Sequence, residues 1–390
     1  MQVCIGSPGR FHTFDLARQM ERLGYLGRLY TGYPKWKVDG LPREKVRAFP
    51  WLIGPVMLLG RWGLHGIKER LNQLAIVSFD RWMAGRLEPC DVFHCLSSFG
   101  LKSHQVAKQR YGALTVCDRG SSHILYQDEI QAEEYARWGL PYRPIDRCIV
   151  ERELQEYDEC DLIFVPSSFA YRSFLQKGVS KERVVKIPYG VDLRLFRPAP
   201  KEDAVFRVIY VGAISLPKGI PYLLEALASL RLPNFELWLI GSMHPEARPF
   251  LAKHEGGYRY LGVIPRAELY KSYSQGSVFV IASIQEGLAL VQAQAMACGL
   301  PVIATANTGA EDLFTDGVEG FIVPIRSPEA IREKVLYLYE HPEVRDEMAK
   351  AALRRAQSLS GWDTYAEQAA LCYRRALARR RGKRDADSSG

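Results

Sequence analysis

Short aliphatic stretches alternate with amphipathic stretches along nearly the whole chain, and this alternation constrains the fold more than any other feature. In the first half the apolar stretches are residues 2–5, 27–31, 91–95, 113–117, 161–165 and 184–187. Between them lie segments with helical spacing at 13–23, 67–86, 101–111, 127–138, 144–159 and 168–177. Strands that are apolar throughout must be covered on both faces, and helical crossovers supply that cover in parallel α/β sheets.

The pattern stops at RPAPKED (residues 197–203), which is rich in proline and charge, and then resumes. Strands are expected at 205–211, 236–240, 260–263, 278–282, 302–305 and 321–323. Ile220, Leu223, Leu224, Leu227 and Leu230 mark one face of a helix, and further helices are expected at 328–340 and 342–358. The expected class is α/β, with two doubly wound Rossmann-like domains facing one another across a cleft. The first covers 1–197, a linker 198–204 and the second domain 205–360. After the break at Gly361, a helix over 361–379 is expected to cross back to the first domain, with 380–390 as a disordered polar tail.

Composition narrows the function less. Hydrophobic content of 47% and charged content of 25% are globular values. The net charge of +8 admits nucleic acid, anionic lipid or small anions, but no zinc spacing or nucleic-acid-binding motif accompanies it. None of the eight cysteines forms a C-x-x-C pair, so reduced thiols of a cytoplasmic protein are expected. The start of the chain does not read as a signal peptide, and the apolar run from Trp51 to Gly60 is too short to span a bilayer.

The chemistry concentrates in EGLALVQAQAMACGLPVIA, residues 286–304. A carboxylate and a glycine precede an apolar helical stretch, whose first turn offers unpaired N–H groups to an anion. Gln294, eight residues after Glu286, would return to the same helix face. Upstream, GAISLPKG (212–219) follows a strand and aims Lys218 at the cleft. A fixed cation there suits a diphosphate, and a solvated loop lysine is the alternative. In the first half, GSPGRFH (6–12) is a glycine-rich turn after the first strand. It puts Gly9, Arg10 and His12 where substrate approaches, or on an ordinary surface. CDRGSSH (117–123) puts Asp118 and His123 just past a strand end.

These stretches, together with residues 160–179, 184–198, 260–287 and 306–324, resemble retaining glycosyltransferase family 4, the glycogen-synthase-like group 1 transferases. The resemblance implies the GT-B architecture, with an acceptor-binding first domain and a donor-binding second domain. It also implies transfer of a sugar from a nucleotide-diphosphate sugar, a UDP- or GDP-sugar, to a hydroxyl acceptor. No cofactor or metal is implied, and the only Asp-x-Asp is Asp385–Asp387 in the tail. In this resemblance Glu286 serves the donor sugar, as a catalytic residue together with His123, for which Asp118 is the alternative. Gly212, Lys218, Gly287, Leu288, Ala289 and Leu290 surround the donor, Val263 and Ile264 bracket the base, and Gln294 meets the ribose or merely packs. Gly9, Arg10, His12 and Asp118 form the acceptor side, and Gly309–Glu311 approach the donor. Two positions depart from the family pattern. Ala213 stands where an arginine is usual and Gln294 where a glutamate is usual, which leaves a catalytically impaired binding or scaffold protein as the second reading.

Aromatic and basic residues crowd the stretch from Tyr30 to Trp62, among them Lys35, Lys37, Arg43, Lys45, Arg47 and Arg61. They suit either a peripheral membrane contact or a partly buried excursion covering the first domain. The sugar, nucleotide, acceptor and oligomeric state are not legible.

Overall fold

The computed structural model describes residues 1–51, 65–359 and 361–387. The apolar run beyond Trp51, including Gly54, Pro55 and Gly60, lies outside the described residues, as do Arg61, Trp62, Ser360 and 388–390.

The first domain contains β1 (Val3–Ser7), α1 (His12–Arg22), β2 (Leu26–Thr31), β3 (Val46–Ala48), α2 (His65–Arg86), β4 (Val92–Leu96) and α3 (Leu101–Tyr111). It continues with β5 (Leu114–Asp118), α4 (Ile124–Arg137), α5 (Arg147–Glu159), β6 (Leu162–Val165), α6 (Ser168–Gln176) and β7 (Val184–Lys186). Its sheet is parallel, in the order β3-β2-β1-β4-β5-β6-β7. The second domain contains β8 (Phe206–Val211), α7 (Ile220–Leu227), β9 (Phe235–Ile240), α8 (Arg248–Lys253), β10 (Arg259–Gly262), α9 (Leu269–Ser274) and β11 (Val278–Ile281). Then come α10 (Val291–Ala297), β12 (Val302–Thr305), α11 (Ala310–Leu313), β13 (Gly320–Val323), α12 (Pro328–Glu340) and α13 (Pro342–Ser358). Its sheet, also parallel, runs β10-β9-β8-β11-β12-β13. In each sheet the order reverses beside the first strand, and the crevice outside the strand ends at such a point is where ligands of open α/β sheets bind.

The strands follow the apolar runs because both faces are covered. β8 is buried at every position, and α7 buries all its residues except Glu225. Helix α14 (Trp362–Asp387) crosses to the first domain and packs on α1 and β5. Tyr365, Ala366, Ala369, Ala370 and Tyr373 form its buried stripe, at helical spacing, within the core of β1, β2, β4 and β5.

Two expectations need correction, and one strand lay outside them. Residues 380–387 are helical, not a disordered tail, and Arg380 donates to the carbonyl of Ala113 at 3.0 Å and pairs with Asp161. The short edge strand β3 was not anticipated. Three residues are too few to show a period, and pairing with β2 defines the strand. Glu286 and Gln294 do not share a helix, because α10 begins only at Val291 and residues 286–290 form a loop.

Tyr373 is fully buried, and its hydroxyl meets His94 Nδ1 at 2.8 Å. Tyr373→Phe is expected to cost about 1–2 kcal/mol for the lost hydrogen bond. Tyr373→Ala should cost about 3–5 kcal/mol through the added cavity, read as a lowered urea midpoint.

Candidate active site

The loops after β8, β11 and β12 interlock at the C-terminal edge of the second sheet. Ile284 N–H donates to the Pro217 carbonyl at 3.0 Å, and Glu286 N–H donates to the Asn307 carbonyl at 2.9 Å. Thr305 Oγ1 donates to the Ser283 carbonyl at 2.6 Å. Lys218 ends a single 3-10 turn, and Gly219 follows at φ 69°. A Cβ on Gly219 would lie 1.9 Å from the Ala282 carbonyl oxygen, so only glycine fits between the two loops. The result is a direct ion pair between Lys218 Nζ and Glu286 Oε1, which also accepts from Ser283 Oγ at 3.0 Å. Both side chains keep some exposure, Lys218 at 30% and Glu286 at 18%.

Gly287 then meets the first domain. A Cβ there would lie 1.9 Å from the carbonyl oxygen of Gly120, so the two backbones touch with no room for a side chain. Gln285 Nε2 donates to Ser121 Oγ at 2.7 Å, and Ser167 Oγ donates to the Gly287 carbonyl. Farther along this seam Asp312 accepts from Ser168 N–H at 2.6 Å and pairs with Lys186 at 2.7 Å. Glu311 pairs with Arg172, and Gly309 (φ 74°) packs on Leu288 and Ser167. On the other flank the buried Glu134 accepts from Tyr222 OH at 2.7 Å and from Arg326 Nε at 2.7 Å.

A cleft of about 800 Å³ opens beside the seam, lined by Arg10, His12, Tyr189 and Trp362 on one side and Arg266, Leu288 and Leu290 on the other. Its floor in the first domain is a buried polar chain. His12 Nε2 lies 2.7 Å from Asp118 Oδ2, and His94 Nε2 lies 2.9 Å from the same oxygen. Burial alone would push the Asp118 carboxyl up, but the two imidazoles outweigh it and hold it well below the usual carboxylate range. Gly9 anchors the preceding turn, its carbonyl accepting from Ser7 Oγ at 2.8 Å. Arg10 points outward and pairs with Asp39 at 3.0 Å.

His123 is not at the cleft. It is buried, caps α4 by accepting from Leu125 N–H, and packs against Tyr157 and Phe174. Burial, with Arg119 and Lys177 nearby, pulls its pKa down to about 4. The histidine that does line the cleft, His12, comes from the first turn of α1 and is joined to Asp118 by the fold.

The remaining positions divide. Leu288 and Leu290 line the cleft, and Ala289 N–H donates to the Thr308 carbonyl at 3.1 Å. Gly212 N–H donates to the Ile240 carbonyl at 2.9 Å, so it is tied to the strand edge. Val263 is 72% exposed, while Ile264 packs on the second-domain core. Gln294 is half-buried and accepts from Tyr273 OH at 3.3 Å. Ala213 accepts from Tyr210 OH through its carbonyl at 2.8 Å. Among the described residues no three His, Cys, Asp or Glu side chains converge as metal ligands would.

Tyr189 and Arg266 were not singled out from sequence. The Tyr189 ring lies 4.3 Å from that of His12, and its buried hydroxyl, beside Gly120, has no partner among the described residues. Its place in the run VVKIPYGVD was the available signal. Arg266 carries no signal without the fold that aims it into the cleft.

Residues 194–355 match the family model of glycosyl transferases group 1. A D-inositol 3-phosphate glycosyltransferase of Kribbella flavida is 31% identical over 51% of this chain and 52% of its own length. An MMP alpha-(1->4)-mannosyltransferase of Mycolicibacterium hassiacum is 27% identical over 77% of this chain and 74% of its own. The stretch matched to the first of these relatives thus spans about half of that protein's length. Sucrose-phosphate synthase of Thermosynechococcus elongatus superposes with a TM-score of 0.70 at 21% identity, covering 97% of this chain and 100% of that one. Anabaena HepE in complex with UDP-glucose gives 0.66 at 18% identity, covering 95% of this chain and 99% of that one. These likenesses establish the fold, the two-domain GT-B arrangement.

Two outcomes follow from the geometry. Gly287→Ala should force the domains apart, raising the radius of gyration measured by small-angle scattering. The His123 shift implies that this group's contribution to stability is full at neutral pH and falls as pH drops from about 6.5 towards 4, where the unfolded chain binds the extra proton. His123→Asn keeps a capping acceptor and should remove about 1–3 kcal/mol of that acid-side loss in denaturant titrations at each pH.

Proposed function

We propose that the protein is a retaining glycosyltransferase that moves a sugar from a nucleotide-diphosphate sugar to an acceptor hydroxyl without a metal ion. The observation that carries this reading is the Lys218–Glu286 pair, set where the second-domain loops meet the first domain. Its place within the stretch matched by the group 1 model supports the same reading. A nucleotide sugar brings a diphosphate for the ammonium group and sugar hydroxyls for the carboxylate, so each member of the pair exchanges its partner for substrate.

In this mechanism Lys218 takes negative charge that grows on the departing phosphate, and Glu286 stabilises the positive charge at the anomeric carbon. The acceptor hydroxyl attacks from the face the phosphate leaves, and a phosphate oxygen receives its proton. His12, held through Nε2 by Asp118, lines the cleft and orients a sugar hydroxyl. Arg266 lines the cleft within electrostatic reach of Asp15 and Asp192 and offers it a guanidinium for a phosphate. Seam closure excludes water, which protects the donor from hydrolysis.

Thermal shift and nucleotide release across a panel of UDP- and GDP-sugars test the reading. Lys218→Ala should weaken nucleotide-diphosphate affinity about 10–100-fold, the worth of a charge-assisted contact. Glu286→Gln should leave binding near the wild-type value and lower turnover about 100–1,000-fold. Binding without product formation in the wild-type protein would favour the scaffold reading that Ala213 and Gln294 suggest.

A further inference from the structure

β3, β2 and β1 are neighbours at one edge of the first sheet, and the loop after each one carries an exposed aromatic side chain. Trp51 follows β3 and is 76% exposed, Trp36 follows β2 and is 74% exposed, and Phe11 follows β1 and is 44% exposed. Parallel strands put all three loops at the same end of the sheet, and Phe11 also lines the cleft.

The backbone around both tryptophans is fixed. Trp36 sits on a single 3-10 turn, Lys35–Lys37. Tyr33 and Val38 flank it and pack on the first-domain core, the Tyr33 and Phe14 rings meeting edge to face with their centroids 6.1 Å apart. Tucking both neighbours inward thrusts Trp36 out. Phe49 N–H bonds the Thr31 carbonyl at 2.7 Å, and its ring stacks on Trp82 at 5.3 Å, so Trp51 leaves an anchored segment. Tyr33, Val38, Leu41 and Phe49 are thus the partly buried part of this excursion, and Trp36 and Trp51 stand outside it.

The charge around Trp36 is one-sided. Lys35, Lys37 and Arg43 have no carboxylate partner among the described residues, whereas Lys45 pairs with Glu21 and Arg47 with Glu88. Asp39 is taken by Arg10 and Arg18, which leaves Glu44 as the opposing charge in this stretch. Tryptophans prefer the headgroup level of a bilayer, and unpaired lysines are drawn to anionic lipid. Among the described residues no helix is long and apolar enough to cross a membrane.

We infer that this edge of the first domain docks on an anionic membrane surface, with Trp36 and Trp51 at the headgroup level and Lys35, Lys37 and Arg43 facing the lipid charge. Docked this way, the mouth of the cleft beside Phe11 and Arg10 opens toward the lipid. The inference stands on surface geometry and does not depend on the proposed sugar transfer.

Co-sedimentation of the full chain with vesicles tests it. The protein should pellet with vesicles of equal parts phosphatidylglycerol and phosphatidylcholine, stay in solution with phosphatidylcholine alone, and be released by added salt. Trp36→Ser/Trp51→Ser should lower partitioning about tenfold or more. Lys35→Glu/Lys37→Glu alters one half-buried and one exposed side chain, neither in the core, and should lower it comparably. An unchanged thermal melt shows that each variant is folded, and nucleotide-induced thermal shifts report separately on the catalytic reading. Wild-type protein left in the supernatant with the anionic vesicles would overturn the inference. So would a folded Trp36→Ser/Trp51→Ser variant that sediments as well as the wild type.

Discussion

Two glycines touching across the domain boundary organise the rest of the molecule. At Gly120 and Gly287 the backbones come so close that a methyl group on Gly287 would sit 1.9 Å from an oxygen. No side chain separates the domains there, so the loop from Gln285 to Leu290 is pressed into the first domain. Glu286 is carried to the seam by its neighbour. The flanking polar contacts, Gln285 to Ser121 and Ser167 to Gly287, fix the register of one domain against the other. Farther out, the buried Glu134 with Arg326 adds orientation more than net stability, because desolvation offsets much of the attraction, and Asp312 with the exposed Lys186 adds little because water screens it.

The first domain answers with a polar chain rather than a single residue. His12, Asp118, His94 and Tyr373 run from the cleft wall to the crossing helix α14. A buried carboxylate is costly unless its lone pairs are taken, and two imidazoles meet that need here. The final helix thus does more than tie the domains together: it completes the hydrogen bonding beneath the cleft.

Much of this was legible from residue patterns. The buried strands were visible because parallel sheets covered on both faces need unbroken apolar runs. Lys218 and Glu286 were visible because a lysine after a glycine-bounded loop and a carboxylate before an apolar helix are each rare and chemically specific. Other features were not legible, for separate reasons. β3 is too short to have a period. Residues 380–387 continue the last helix, whose Arg380 reaches Ala113 and Asp161, and the local basic composition does not reveal those contacts. His123 looked like a site residue because it follows a strand end, yet the same position suits a helix cap. Glu286 and Gln294 keep a helical spacing on paper, but the loop that reaches the seam breaks the helix between them.

The order of residues alone settled the α/β class and the two doubly wound sheets, and it singled out Lys218 and Glu286 separately, because these readings depend on local periodicity and on residue type. Which histidine and which arginine reach the cleft and which tryptophans face outward depended on contacts between segments far apart in the chain. His12 and Asp118 are 106 positions apart and Lys218 and Glu286 are 68 apart, and only the packing of two sheets brings such pairs together.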